Sequence, residues 1–338
     1  MELSDGWMII AILAFTMYIV LDGYDLGLGV LTLFTTDSAR KRELHELVAW
    51  AWDGNESWLV LVALSLWAGV PVVSGVALPA LYVPLIVMLF SLIARGVALE
   101  LVGQHTGWNR WWGGVFGIAS FLAAFCQGAA FGGVVAGIPS RGSTFNGGPF
   151  VFLHDGYAVL TGLTAVSLYI LAGSSWAYQR TGNETRLLAA RGGRLAVAAI
   201  AGGTAASWAL APVVGTVTLH AGEAVRLGVW VPGAVILGIG LVFAASAFGV
   251  GGHAGGDWIP VFATLAVYLG GLLLAGGLLY PTLVPPNVTV HAAASPNSSL
   301  LFLIIGVGMF IPVILTYQGY SYWVFRLRRN ADQAETAA

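Results

Sequence analysis

The sequence predicts an all-α polytopic membrane protein, and three observations carry that prediction. Hydrophobic residues make up 58% of the chain and charged residues 9%. The mean hydropathy is +0.83. The apolar residues fall in runs of roughly 20, the length a helix needs to cross a bilayer. No barrel-like alternation appears, and an open sheet could not satisfy its backbone in lipid. A net charge of −2 argues against a nucleic-acid partner.

Nine spans are expected, at about 7–33, 47–70, 77–99, 112–136, 155–178, 195–213, 229–250, 258–279 and 300–325. The first follows Glu2 and Asp5 with no basic residue, which suits a retained span better than a signal peptide. The longest loops are expected at about 137–154, 179–194 and 280–299. Of the 14 basic residues, all but Arg141 and Arg226 fall on one side of this arrangement, at Arg40 to Arg42, Arg95, Arg110, Arg180 to Arg194 and Arg326 to Arg329. The positive-inside rule then puts the N-terminus outside and the C-terminus in the cytoplasm.

Within the spans, Gly23, Gly27, Gly29, Gly113, Gly114, Gly117, Gly128, Gly132, Gly133, Gly270 and Gly271 suggest close helix packing. Trp50, Trp52, Trp58, Trp108, Trp111, Trp112, Trp176 and Trp323 lie near span ends, as an interfacial belt would. The lone Cys126 reads as a small buried hydrophobe.

Two stretches break the apolar pattern. Leu21 to Gly29 read LDGYDLGLG, and Trp52 to Leu59 read WDGNESWL. They carry Asp22, Asp25, Asp53 and Glu56, in pairs three apart that share a helix face. A carboxylate in hydrocarbon costs at least ~2.5–3.5 kcal/mol, so such groups face a bundle interior or a wet path. By helix rise, Asp25 is expected about 12 Å and Asp53 about 9 Å from the cytoplasmic surface. No basic residue is expected inside a span to neutralise them, because Arg95 falls near the inner end of the third. A partner then supplies cations, or some acids hold protons. Arg95 and Glu100 are read as an ion pair at a cytoplasmic mouth, of functional or merely surface character. The functional reading of the acids is a proton path; the structural one is helix capping or bridging.

His45, His105, His154, His220, His253 and His291 lie in loops or at span edges, and only Met17, Met88 and Met309 are deep. A membrane haem needs buried axial ligands, so none is expected on this chain. No cluster suggests zinc or iron–sulfur, and no metal site is expected.

The order, spacing and helix positions of LDGYDLGLG and WDGNESWL resemble subunit II of the cytochrome bd quinol oxidases. Arg95 and Glu100, Gln127-Gly128, Phe131-Gly132, Tyr280-Pro281, Tyr317 and Tyr322-Trp323 extend the resemblance along the chain. This chain has Arg95-Gly96 and Glu100-Leu101-Val102 where the family often reads Arg-Pro, then an acid, an aromatic and another Arg. The resemblance implies two four-helix bundles plus one peripheral helix in a bacterial plasma membrane. It implies a heterodimer with subunit I, which carries haems b and d, oxidises quinol and reduces oxygen to water. Asp25 and Asp53, with Asp22 and Glu56, would conduct cytoplasmic protons. Gly23, Gly27, Trp52, Gly54, Asn55 and Trp58 would serve packing of the motifs. A bound structural quinone (menaquinone or ubiquinone), an apolar oxygen route, small accessory single-span subunits and lipid complete the expected partners. Glycine- and alanine-rich composition with little Lys hints at menaquinol. The rival is a proton-coupled secondary transporter, which would place acids or breaks in both halves; the second half has no internal acid. A scaffold without a proton role is the third reading.

Overall fold

Helix α1 (Leu3–Leu31) is buried continuously over its C-terminal part, from Asp22 to Leu31. The computed structural model describes residues 2–103, 110–141, 144–153, 156–214, 223–248, 258–279, 282–285 and 288–336. His105, Trp108, His154, Asp155, His220, His253 and Tyr280-Pro281 lie outside them, as do the side chains of Arg141, Arg226, Tyr322, Trp323 and Arg326 to Arg329.

The helices in order are α1, α2 (Ser38–Glu46), α3 (Trp52–Leu64), α4 (Pro71–Ala80), α5 (Tyr82–Gly103), α6 (Arg110–Ala136), α7 (Tyr157–Arg180), α8 (Asn183–Val214), α9 (Glu223–Ala247), α10 (Ile259–Leu279), α11 (Val290–Ala293) and α12 (Asn297–Thr336). Two small antiparallel hairpins, β1–β2 (Ser140–Arg141 with Thr144–Phe145) and β3–β4 (Thr282–Val284 with Val288–Thr289), sit in the loops before α7 and α11. Helix α1 packs on α3, α6, α7 and α12, while α9 packs chiefly on α10.

Seven helices among the described residues are long and apolar enough to cross a membrane, or eight if the bent pair Trp52–Gly69 and Pro71–Ala80 is one span. This departs from the expected spans at two places. The stretch read as 47–70 begins its helix only at Trp52, after a turn, and ends in a π turn at Ser65–Gly69. Pro71, which cannot donate a backbone N–H, then starts α4 at 116° to it. The span read as 77–99 accordingly straddles the end of α4 and most of α5. The expected loop at 179–194 is also corrected. The connection is Thr181 and Gly182 only, and Arg186, Arg191 and Arg194 ride on the first turns of α8, since a helix whose charged residues can reach its surface need not be apolar throughout.

The break at the π turn is chemically closed. Trp7 Nε1 donates to the Ser65 carbonyl at 3.1 Å. The Ser295 hydroxyl donates to the Ala68 carbonyl at 2.7 Å, and its backbone N–H to Gly69 O at 2.9 Å. These partners satisfy carbonyls that the interrupted helix cannot.

Close packing holds where glycines face a neighbour. A Cβ on Gly27 would fall on the Tyr169 carbonyl and Gly173, so α1 and α7 meet backbone to backbone. Gly23 faces the Tyr169 ring and the Tyr268 hydroxyl, and Gly128 and Gly132 abut α7. Gly54, Gly114 and Gly271 correct the expectation, because a Cβ on any of them would meet open space. Trp58 corrects the belt reading. It is fully buried.

Candidate functional site

Helix α1 enters the core carrying Asp22 and Asp25, 1% and 0% exposed. Helix α3 presents Asn55 and Glu56 to it, and α5 brings in Arg95, which is fully buried. The Arg95 guanidinium forks between two carboxylates. Nη1 lies 2.8 Å from Asp22 Oδ1, and Nη2 donates to Glu56 Oε1. The planar fork of arginine suits such double recognition, where lysine offers a single point charge.

This geometry overturns three expectations. A basic residue does reach the buried acids, though one guanidinium offsets only one charge: α5 continues to Gly103, so Arg95 sits eight residues, about 12 Å of rise, from its end. Arg95 and Glu100 do not pair at a mouth. Five residues turn a helix through about 500°, which sends Arg95 inward and leaves Glu100 exposed. Asp53 is not buried with Asp25: α3 starts at Trp52 and not Leu47. It is exposed in the first turn, where a carboxylate complements the N-terminal dipole. Glu56, one turn further on, is a quarter exposed.

Beside the ion triad runs a neutral network. Asn55 Nδ2 donates to Asp25 Oδ2 at 2.8 Å and lies 2.9 Å from the Tyr24 hydroxyl. Gln318 from α12 donates Nε2 to Asn55 Oδ1 at 3.0 Å. Trp58 Nε1 donates to Gln318 Oε1 at 2.7 Å. Asp25 Oδ1 has no hydrogen-bond partner among the described residues. One turn before Asp22, the Tyr18 hydroxyl accepts from Gln127 Nε2 at 2.7 Å, and the Tyr169 hydroxyl donates to Gln127 Oε1 at 2.5 Å. Polar side chains from α1, α3, α5, α6, α7 and α12 thus converge on the buried part of α1.

Sequence reasoning named Asp22, Asp25, Asn55 and Glu56 as site residues but placed Arg95 with Glu100 at a cytoplasmic mouth and gave Gln318 no role. The available signal was a polar side chain in the middle of an apolar run, present at Gln127 and Gln318 alike. At the edge of the site, Trp176 stacks on Tyr24 with ring centroids 4.8 Å apart and carries the Arg180 guanidinium 3.3 Å above its ring. Outside the spans, His45 of α2 is buried with Nε2 3.0 Å from the Leu99 carbonyl. A carbonyl only accepts, so Nε2 carries the proton. Burial holds the imidazole below its ordinary value.

A sequence model of the family described as cytochrome bd terminal oxidase subunit II matches residues 3–325. The chain is 26% identical to cytochrome bd-I ubiquinol oxidase subunit 2 of Escherichia coli strain K12, over 94% of this chain and 92% of that one. It is 26% identical to cytochrome bd ubiquinol oxidase subunit 2 of Bacillus subtilis strain 168, over 99% of each. Its fold is similar to that of a chain in the bd oxidase from Geobacillus thermodenitrificans, with a TM-score of 0.73 at 16% identity over 97% and 98% of the two chains. With a family match that runs nearly end to end and takes in the whole acid and arginine site, the chain belongs to the cytochrome bd terminal oxidase subunit II family.

Proposed function

We propose that this chain is the haem-free subunit of a bd-type quinol:oxygen oxidoreductase in a bacterial plasma membrane, and that its buried acids carry protons toward the haem-bearing subunit I. The observation that carries the proton reading is the acid cluster itself. Three carboxyl groups, those of Asp22, Asp25 and Glu56, share one guanidinium, so at most one negative charge is offset within it. Oxygen reduction to water consumes protons as well as electrons. Asp53, exposed at the start of α3, is the entry group in this reading. Glu56, Asp22 and Asp25 follow it inward, and Asp25 Oδ1 is the oxygen left free to take a proton.

Haem b and haem d belong to subunit I in this reading. Of the two described histidines, His45 is committed to Leu99 and His291 lies at the surface beside Ser4 and Glu2, which supports a chain that ligates no haem. Arg40 lies 3.5 Å from Glu184. This joins the basic segment after α1 to the start of basic α8, and so supports one cytoplasmic side with the N-terminus opposite. Counting the bent pair and the 32-residue α8 with the seven apolar helices supports nine spans. Two bundles with α12 as the peripheral helix are consistent with α12 packing mainly on α1. Quinol, a structural quinone and small accessory subunits remain the expected partners.

The test is turnover per haem in the assembled complex across a pH series. Asp25→Asn keeps shape and hydrogen-bonding capacity but removes the titratable site. Turnover in this variant is expected to fall much more than haem content, most steeply at high pH. Full turnover in Asp25→Asn and Asp53→Asn leaves the acids a structural role, and a loss that tracks haem content assigns them to assembly. The chain expressed alone is expected to lack a Soret band; a stoichiometric one overturns the haem-free reading.

A further inference from the structure

We propose that Trp58 and Gln318 are positioning residues for Asp25: the indole N–H sets the direction of a two-amide relay that ends on one oxygen of the Asp25 carboxyl group. This rests on Asp25 being a proton-carrying group, as argued above.

The direction follows from donor chemistry. An indole N–H can only donate, so the Gln318 atom 2.7 Å from Trp58 Nε1 is the carbonyl oxygen. The Gln318 amino group must then face the other way, toward Asn55 at 3.0 Å, and only the Asn55 carbonyl oxygen can receive it. That turns the Asn55 amino group toward α1, where it meets Asp25 Oδ2 at 2.8 Å. Gln318 taken alone could be flipped without changing its shape, whereas Asn55 is held in the same sense by the Leu21 carbonyl, which can only accept, 3.3 Å from Nδ2. In series behind an obligate donor, a flip sets carbonyl against carbonyl or amino group against donor, buried where water cannot relieve it. Trp58, Asn55 and Asp25 are fully buried, and Gln318 is 9% exposed.

The relay therefore distinguishes the two oxygens of Asp25. Oδ2 is held by a donated N–H, and Oδ1 has no hydrogen-bond partner among the described residues. A donor fixed on Oδ2 favours the ionised form and leaves Oδ1 as the atom that takes up and releases the proton. The charged groups that act on Asp25 are Asp22 on its own helix, Glu56 from α3 and Arg95 from α5. The nearby phenols are Tyr18 and Tyr24 on α1, Tyr169 on α7 and Tyr268 on α10, and α12 contributes neutral Gln318. Changing Trp58 or Gln318 leaves all these charges in place, so a shift at Asp25 reports the relay.

The experiment uses the purified, haem-loaded complex. Infrared difference spectra across pH identify the protonated-carboxyl C=O band that disappears in Asp25→Asn. In Trp58→Phe, which keeps a ring in place, and in Gln318→Met, which keeps chain length, the titration midpoint of that band is expected to move up by about one pH unit. The high-pH limb of turnover per haem should move with it. A band whose midpoint is unmoved in whichever variant assembles overturns the relay while leaving the proton path standing. Absence of any Asp25-dependent band at any pH overturns the proton path and the relay together.

Discussion

Helices α9 and α10 and helices α1 and α7 use the same device to approach one another, yet among the described residues only α1 of the four also carries buried carboxylates, on its other side. Along α9 and α10, Gly240 abuts Val267, Gly270 abuts the backbone of Leu237, and Gly277 abuts Trp230. No charged residue occurs from Gly228 to Ala247 or from Ile259 to Leu279. Gly27 and Gly173 bring α1 and α7 equally close. Small residues suffice to pack helices in lipid. The ion triad on the other side of α1 is therefore not needed for helix association, and a desolvated ion pair contributes little net stability against well-packed apolar residues. A triad beside an apolar pair that manages without one is what the proton path proposed above would require.

That contrast can be broken most severely at Arg95. Arg95→Met leaves Asp22 and Glu56 facing each other without a cation, and stranding a buried charge in this way typically costs ~3–5 kcal/mol. Loss of assembled complex, read as haem content and as thermal unfolding in detergent, is the expected outcome. Adding Asp22→Asn and Glu56→Gln to Arg95→Met removes the stranded charges and is expected to restore assembly but not turnover. If the triple variant stays unassembled, the triad is a packing element after all and the contrast fails.

The next effect comes from the shared device. Gly27→Ala drives a Cβ into the α7 backbone, and Gly270→Ala drives one into Leu237. Each is expected to destabilise by ~1–3 kcal/mol, with Gly54→Ala, which meets open space, as the silent control. Thermal melting of the three variants side by side tests the equivalence of the two seams.

The spans were legible because hydropathy over 20 residues needs no tertiary information, and α6, α7 and α10 begin and end within two residues of expectation. The acids were legible because charge in an apolar run is conspicuous. What escaped depended on where helices start and stop. Treating 47–51 as helix pushed Asp53 inward, and ending the third span at 99 pulled Arg95 outward; a few residues at each end exchanged the buried and exposed members of the site. The Asn55 to Gln318 bond joins residues 263 apart, which no local pattern encodes.

The smallest expected effect lies outside the spans. Burial holds His45 below its ordinary value of about 6.5, so the folded protein favours the neutral ring. Its contribution to stability is fully present above that value and is lost progressively as pH falls below it, through the lower value of the folded state. Melting temperature should drop between pH 7.5 and 5.5, by less in His45→Phe than in the parent. An equal drop in both assigns the acid sensitivity to other groups.

The broken helix after α3 has a consequence for the order in which the protein is made. Its freed Ala68 carbonyl is satisfied by a hydroxyl 227 residues further along the chain. At a synthesis rate of about 5–20 residues per second, that partner leaves the ribosome roughly 10–45 s later. Within the part of the chain made by then, Trp7 Nε1 already donates to the Ser65 carbonyl. On that timing the Ala68 carbonyl can meet its hydroxyl partner only after the segment leading into α12 has been made.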